Sequence, residues 1–369
     1  MTHARPRSLS RRRFLAGAAA GTALLHGTPP LQAAEADPRI ARILAGTVTV
    51  DMHSHVRPRY VRDPADARPD PAIDLAGEVR RSGFAALCQT YDVDTTGKQP
   101  AGVYPAFNRI ALDFEDRLLD RNHMRRALTL KDLESAHARR EPVIVQCAEG
   151  AQFLEGRLER LEEVYKRGLR GLQIIHDQDD AVAPLGDYYT ARSPQFGGLT
   201  PFGVEVVKAC NRMGIVVDLA HGTPDAVRAA LRAASMPMLV SHTSLARTAE
   251  SPDMQRRAIA ADLAREVASA GGVVGVWWRG SDTLQDYVAA IRALVDVLDT
   301  AHVGIGTDSD ITSSNILPYT NRIWTDQNAG FFHAVAAEML RQGFSADDIS
   351  RIGGGNFCRV FARVTAVTA

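Results

Sequence analysis

Eight short apolar runs recur along the chain, at residues 47–52, 84–89, 143–148, 171–175, 215–220, 238–241, 273–277 and 303–307. They are near-continuous rather than alternating, as expected of strands covered on both faces in a parallel sheet. Helical signals fill the gaps. Thr200-Pro201 supplies an N-cap and a proline at the first helical position; Phe202, Val206, Val207, Cys210 and Met213 follow at helical spacing, and Gly214 closes the end. Thr223-Pro224 repeats that punctuation before Val227 and Leu231, and two further stripes, Leu154, Leu158, Leu161, Tyr165 and Leu284, Tyr287, Ile291, Leu294, Leu298, read as helix faces packing on a sheet. The expected fold class is therefore α/β: a single-domain (β/α)8 TIM-type barrel over residues 37–369. A doubly wound open sheet would want a glycine-rich phosphate loop after its first strand, where this chain has His53-Ser54-His55.

The carboxyl ends of the runs carry the chemistry. His53 and His55 follow the first, Glu149 the third, His176 the fourth, His221 the fifth, His242 the sixth and Asp308 the eighth. In a barrel these ends open on one face, so residues hundreds apart in sequence meet at a single mouth. His53 and His55 stand one residue apart, and extended backbone points such residues to the same side. A lone histidine at a strand end is more often a satisfied core residue than a ligand. Six ends of eight bearing metal-type ligands or acid-base groups argue for a shared site.

Four histidines and a carboxylate exceed what one catalytic zinc uses, so two Zn2+ per chain are expected. His53 and His55 are assigned to one ion and His221 and His242 to the other, with Glu149 as the bridge because a carboxylate offers two oxygens. The expected nucleophile is a metal-bridging water whose pKa the cations lower. Asp308 stands where it can move that water's proton to the leaving group; its alternative role is as a further ligand or an orienting carboxylate. His176 opens a polar loop and is expected to contact substrate.

At these residues the chain resembles the membrane dipeptidase (renal dipeptidase-like) family of the amidohydrolase superfamily. The resemblance covers most of the chain after residue 36. It is most specific in Gly198-Leu199-Thr200-Pro201-Phe202-Gly203, Val217-Asp218-Leu219-Ala220-His221, Val240-Ser241-His242-Thr243-Ser244, His302-Val303-Gly304-Ile305-Gly306-Thr307-Asp308 and Gly354-Gly355-Asn356-Phe357. It implies zinc ligands at His53, Glu149, His221 and His242, a substrate-contacting His176 and a catalytic Asp308. It also implies hydrolysis of dipeptides, often with a D-residue on the carboxyl side, and a homodimer. Two departures stand out. His55 replaces the aspartate of the family's His-x-Asp, adding roughly one positive charge to the site. Asp308-Ser309-Asp310-Ile311 replaces Asp-Phe-Asp-Gly. An arginine for the substrate carboxylate is sought at Arg247 first, with Arg256 and Arg279 as other candidates, and each is also readable as a solvated surface charge. A metal-dependent amidohydrolase acting on a lactone, ester or cyclic amide is the alternative function, weakened because no lysine ends the third or fourth run.

Lysine plus arginine and aspartate plus glutamate both total 43, so no global field draws the chain to nucleic acid or an anionic membrane. The expected partner is a small dipeptide-like substrate. Residues 1–36 read as an export signal and linker: Ser10-Arg11-Arg12-Arg13-Phe14-Leu15 resembles a twin-arginine signal, followed by an apolar run and small residues near Ala33 to Ala36. The expected destination is the periplasm or the exterior, with no membrane span in the mature chain. Cys88, Cys147, Cys210 and Cys358 show no metal spacing and are expected to be buried free thiols.

Overall fold

The computed structural model describes residues 37–56, 73–93, 102–176, 183–189, 194–246, 252–312, 317–325 and 327–368. The export signal expected at residues 1–36 and the candidate Arg247 lie outside them. Among the described residues ten strands form one sheet: β1 Val50–His55, β2 Ala86–Asp92, β3 Arg125–Arg126, β4 Val143–Glu149, β5 Leu169–Gln173, β6 Val216–Asp218, β7 Leu239–Thr243, β8 Val273–Val276, β9 Val303–Ile305 and β10 Ser309–Asp310. The order is β10-β1-β2-β4-β5-β6-β7-β8-β9, with β3 beside β4, and every pairing is parallel. All eight expected runs hold a strand, although the ends shift by a few residues.

The two ends of that order, β9 and β10, belong to one continuous segment, so the sheet curls until its last strand meets its first. Ser54 pairs with Ser309 and His55 with Asp310. The Asp308 amide donates to the His53 carbonyl at 2.9 Å and the Ile311 amide to the His55 carbonyl at 3.0 Å. Asp51, fully buried, receives the Thr307 amide at 2.9 Å on one oxygen and the Thr307 hydroxyl at 2.7 Å on the other.

The amino-terminal end of the curl is filled. Val50, Ala86, Val143, Val216, Leu239 and Val273, all at or near strand starts, pack with Phe357, Val360, Phe361 and Val364 of the helix Asn356–Thr365. A second core lies between the sheet and the surrounding helices, from Ile40 through Val206 and Ile291 to Phe331. This leaves the carboxyl ends of the strands as the open mouth.

Helix punctuation follows the sequence where caps are strong. The Thr200 hydroxyl accepts the Gly203 amide at the head of Pro201–Met213, and Gly214 closes it in left-handed backbone at φ 76°. Thr223 caps Pro224–Ala233 in the same way. The stripe from Leu154 to Tyr165 is not one helix. A turn at Gln152–Leu154 is separated from the helix Glu159–Lys166 because Glu155 and Gly156 both take positive φ. All four cysteines are free as expected, but only Cys88 and Cys210 are buried; Cys147 and Cys358 are half-buried.

A Cβ on Gly306 would run into the Ser241 carbonyl oxygen beside His242, as would one on Gly275. Gly306→Ala should therefore lower stability by roughly 1–3 kcal/mol, read from urea unfolding; an unchanged midpoint would contradict this account of the close approach. Away from the mouth, Glu115 is buried against the Arg126 guanidinium at 2.8 Å. Burial outweighs that partner and pushes its carboxyl up from 4.5 to about 7. Its folded pKa is the higher one, so the stability it lends is complete below about pH 4.5 and is lost as pH rises through about 7. Glu115→Gln should flatten the stability profile across that window by up to roughly 3 kcal/mol, measured by denaturation at a series of pH values.

Candidate metal centre

Glu149 ends β4 with its carboxylate buried in the mouth. Its two oxygens face different groups of imidazoles. Oε2 lies 3.4 Å from His53 Nε2 and 3.8 Å from His55 Nε2. Oε1 lies 3.3 Å from His176 Nε2, 3.5 Å from His221 Nε2 and 4.0 Å from His242 Nε2. His53 and His55 occupy the end of β1 itself rather than the loop after it, and a register shift between Asp51 and Ser54 accompanies their convergence. Their rings stand 5.0 Å apart edge to face.

The outer nitrogens of three of these rings are held by the strands behind them. Ser241 Oγ lies 2.9 Å from His242 Nδ1 and 3.3 Å from His53 Nδ1. Asp218 stands behind the serine, accepting its amide at 2.9 Å and the Ala220 amide at 3.1 Å. The Thr90 carbonyl takes His55 Nδ1 at 3.0 Å, with Asp92 Oδ1 at 3.3 Å. A proton on Nδ1 leaves the Nε2 lone pair facing inward, the tautomer a metal ligand needs. His53 Nε2 is buried without a hydrogen bond, 3.4 Å from the Glu149 carboxylate. Three sets among the described residues bring their donor atoms within 4.8 Å of one another: His53 with His55 and Glu149, Glu149 with His221 and His242, and His53 with Asp218 and His242. Deprotonated imidazoles and one shared carboxylate, buried and preoriented, are a donor set that fits divalent cations of zinc type, and a cation there would displace the proton that His53 otherwise holds.

The charges in the mouth are strongly interdependent. Burial opposes ionisation of Glu149, yet His176, His53 and His221 hold its carboxyl well below the usual range. Burial likewise works against a charge on His53, but Glu149, Asp308 and Asp218 push it up to about 9. His242 moves the other way, well below its ordinary value, through burial and the positive charges of His53, Arg257 and His221.

Asp308 follows β9 in left-handed backbone at φ 48°, and His221 follows β6 at φ 69°. Such conformations are uncommon outside glycine and turn both side chains into the mouth. Asp308 Oδ1 is 3.2 Å from His55 Nε2 and Oδ2 is 4.0 Å from His242 Nε2. Despite burial, His242, His55 and His53 hold its carboxyl well below the usual range. His176 is half-buried at the rim, its ring 4.6 Å from that of His221. The second carboxylate of the departing motif, Asp310, is engaged in the fold, where it receives the Leu317 amide at 3.3 Å.

One basic residue in the mouth was not among the arginines weighed from sequence. Arg257, at the end of the helix Pro252–Arg257, places Nη2 2.7 Å from His221 Nε2, 2.9 Å from His242 Nε2 and 3.4 Å from Asp308 Oδ2. Its Nη1 donates to the Tyr189 hydroxyl at 3.1 Å, and the guanidinium stacks 3.9 Å over Trp277. Arg256 and Arg279 are exposed. Neighbouring helical residues point about 100° apart, and a six-residue helix with no apolar period gives no cue as to which arginine turns inward. Tyr188, Tyr189, Val227, Ile259, Leu263 and Arg257 line a cavity of about 460 Å³ that opens beside His221 and His242.

The profile of the membrane dipeptidase family, peptidase family M19, matches residues 39–369. Dipeptidase verJ of Clonostachys rogersoniana is 28% identical over 217 residues, 56% of this chain and 52% of that protein. The chain thus spans about half the length of the curated relatives it matches. In fold it is similar to a solved amidohydrolase from Pseudomonas aeruginosa, with TM-score 0.72, 20% identity and coverage of 89% of this chain and 99% of that one. A metallopeptidase from Rhodobacter sphaeroides, solved with a phosphinate mimic of the dipeptide L-Ala-D-Ala, gives TM-score 0.64 at 19% identity, covering 86% and 99%. With the family profile running over nearly its whole length, this chain belongs to the membrane dipeptidase family.

Proposed function

We propose that the chain is an exported, binuclear zinc dipeptidase that hydrolyses the peptide bond of dipeptides, including those with a D-residue at the carboxyl side. The observation that carries this reading is the divided carboxylate of Glu149, one oxygen toward His53 and His55 and the other toward His221 and His242. In this reading His53, His55 and Glu149 would hold one ion, and Glu149, His221 and His242 would hold the other. When bound, such a pair supplies Lewis acidity toward a carbonyl oxygen and makes water a competent nucleophile near neutral pH. Family membership supports a metal-dependent hydrolase. Residues 1–36, read as a twin-arginine-type signal, would deliver the folded barrel to the periplasm.

The chain's own residues then divide the work. Asp308, ionised and turned into the mouth, takes the proton of the attacking water and passes it to the departing amine. His176, at the rim and beside Glu149, donates a hydrogen bond to the oxygen on which charge develops at the scissile carbon. Arg257 is the guanidinium best placed for the substrate carboxylate, the role first sought at Arg247, because it stands at the mouth against Trp277 and Tyr189; its Nη2 would leave His221 Nε2 and His242 Nε2 when those atoms hold an ion. The dipeptide mimic on the Rhodobacter sphaeroides relative supports the substrate class.

Purified protein should contain two zinc ions per chain and hydrolyse Xaa-D-Ala dipeptides, with activity lost on chelation and restored by zinc. Metal-independent turnover, or a panel in which only lactones or esters are cleaved, would overturn the assignment. Asp308→Asn should retain the metal, measured by elemental analysis, while kcat falls roughly a hundred- to ten-thousandfold. An unchanged kcat would remove Asp308 from the proton path.

A further inference from the structure

The first-strand motif of this chain, His53-Ser54-His55, lacks the carboxylate that the resembling family carries at its second ligand position. A carboxylate stands directly behind that position. Asp92, the last residue of β2, places Oδ1 3.3 Å from His55 Nδ1, and its side chain is only 8% exposed. The Thr90 carbonyl shares the same nitrogen at 3.0 Å. The far side of the ring faces the cage, with Nε2 3.2 Å from Asp308 Oδ1 and 3.8 Å from Glu149 Oε2. The imidazole is thus aligned between an outer acidic group and the inner donors.

The two groups beside Nδ1 do different things: the Thr90 carbonyl is its hydrogen-bond acceptor, and Asp92 Oδ1 lies within ion-pair distance without a hydrogen bond to it. A backbone carbonyl is enough to fix the proton on Nδ1 and turn the Nε2 lone pair inward. Only Asp92 adds negative charge, which makes the imidazole a stronger donor and offsets a cation held on its other nitrogen. The register explains why this residue is in position: Asp92 pairs across the sheet with Glu149, so the outer carboxylate ends on the same level as the bridging one.

We propose that Asp92 is a positioning residue for the ion held by His55, Glu149 and His53, returning from behind the imidazole the negative charge that the first strand no longer supplies directly. This rests on the binuclear metal reading above. It assigns a role to a residue that need not touch either metal or substrate, and it makes His55 and Asp92 a single unit equivalent to one carboxylate ligand.

The test is a rescue experiment read by zinc affinity, using chelator competition on the full-length protein. Asp92→Asn is isosteric and should weaken zinc binding roughly ten- to a hundredfold, with the melting temperature of the metal-free protein unchanged. Combining it with His55→Asp, which moves the carboxylate to the inner position, should restore affinity to within a few-fold of wild type. Asp92→Asn with wild-type affinity overturns the inference. So does a loss that His55→Asp leaves uncorrected, because a purely structural role at β2 would not respond to the residue at 55. Wild-type protein that takes up no zinc would instead overturn the metal reading itself, and this inference with it.

Discussion

The mouth exists because the last strand is fastened to the first at Asp51. This carboxyl group, buried and pushed up to about 6 chiefly by burial, takes both donors of Thr307 and the amide of His53. These bonds bring residue 307 against residue 51 and leave Asp308 facing His55. Without that closure the sheet would carry two open edges, which proteins avoid exposing, and the acid would be separated from the imidazoles. Ser309 extends the fastening, its hydroxyl lying 2.7 Å from the hydroxyls of both Thr307 and Thr320. Closure and site are therefore one construction, since the same few residues join the strands and aim the ligands.

That construction concentrates charge where water is scarce. Five imidazoles and a guanidinium crowd the mouth, and the acidic groups among them, Glu149, Asp308, Asp218 and Asp92, occupy distinct sides. Glu149 is central and divides its oxygens, whereas Asp308 faces inward from the last strand. Asp218 and Asp92 stand outside the ring of histidines, reaching His53 at 3.9 Å and His55 at 3.3 Å. A buried charge is tolerated only when paired or hydrogen-bonded. The outer carboxylates supply that pairing without taking the inward nitrogens that a cation needs.

Much of this was legible in sequence because parallel strands buried on both faces leave near-continuous apolar runs, and all eight fell where strands form. The residues at their ends were legible for the same reason: the topology alone carries His53, Glu149, His221, His242 and Asp308 to one rim. What could not be read was the layer behind them. Ser241 and Asp218 sit inside apolar runs and look like ordinary strand polar residues; only the three-dimensional pairing puts the serine between His53 and His242. Asp92 lies just past the second run, where an acidic residue most often begins a solvated loop. Arg257 was hidden by its neighbour Arg256, because the sequence does not say which of two adjacent arginines turns inward. The helix expected through Leu154 broke at Glu155, a residue whose identity gives no warning of positive φ.

The positive φ angles at His221 and Asp308 join these points. A non-glycine residue in left-handed backbone gives up about 1 kcal/mol or more, so a fold selected for stability alone would have glycine or asparagine there. Each lies three residues past the end of a strand, and the left-handed turn sets the direction in which its side chain enters the mouth. The Asp308 amide remains bonded to His53 through the turn, so the backbone is anchored while the side chain is redirected. Gly222, directly after His221, donates its amide back to the Leu219 carbonyl at 3.2 Å, which closes the turn on that side. Two residues from different strand ends thus take the same backbone conformation, an imidazole and a carboxylate facing one another's neighbours across Glu149. His123, Arg140, Glu155 and Asp299 also take positive φ, so what sets His221 and Asp308 apart is that the turn delivers each side chain into the ligand cluster, His221 beside Glu149 and Asp308 beside His55.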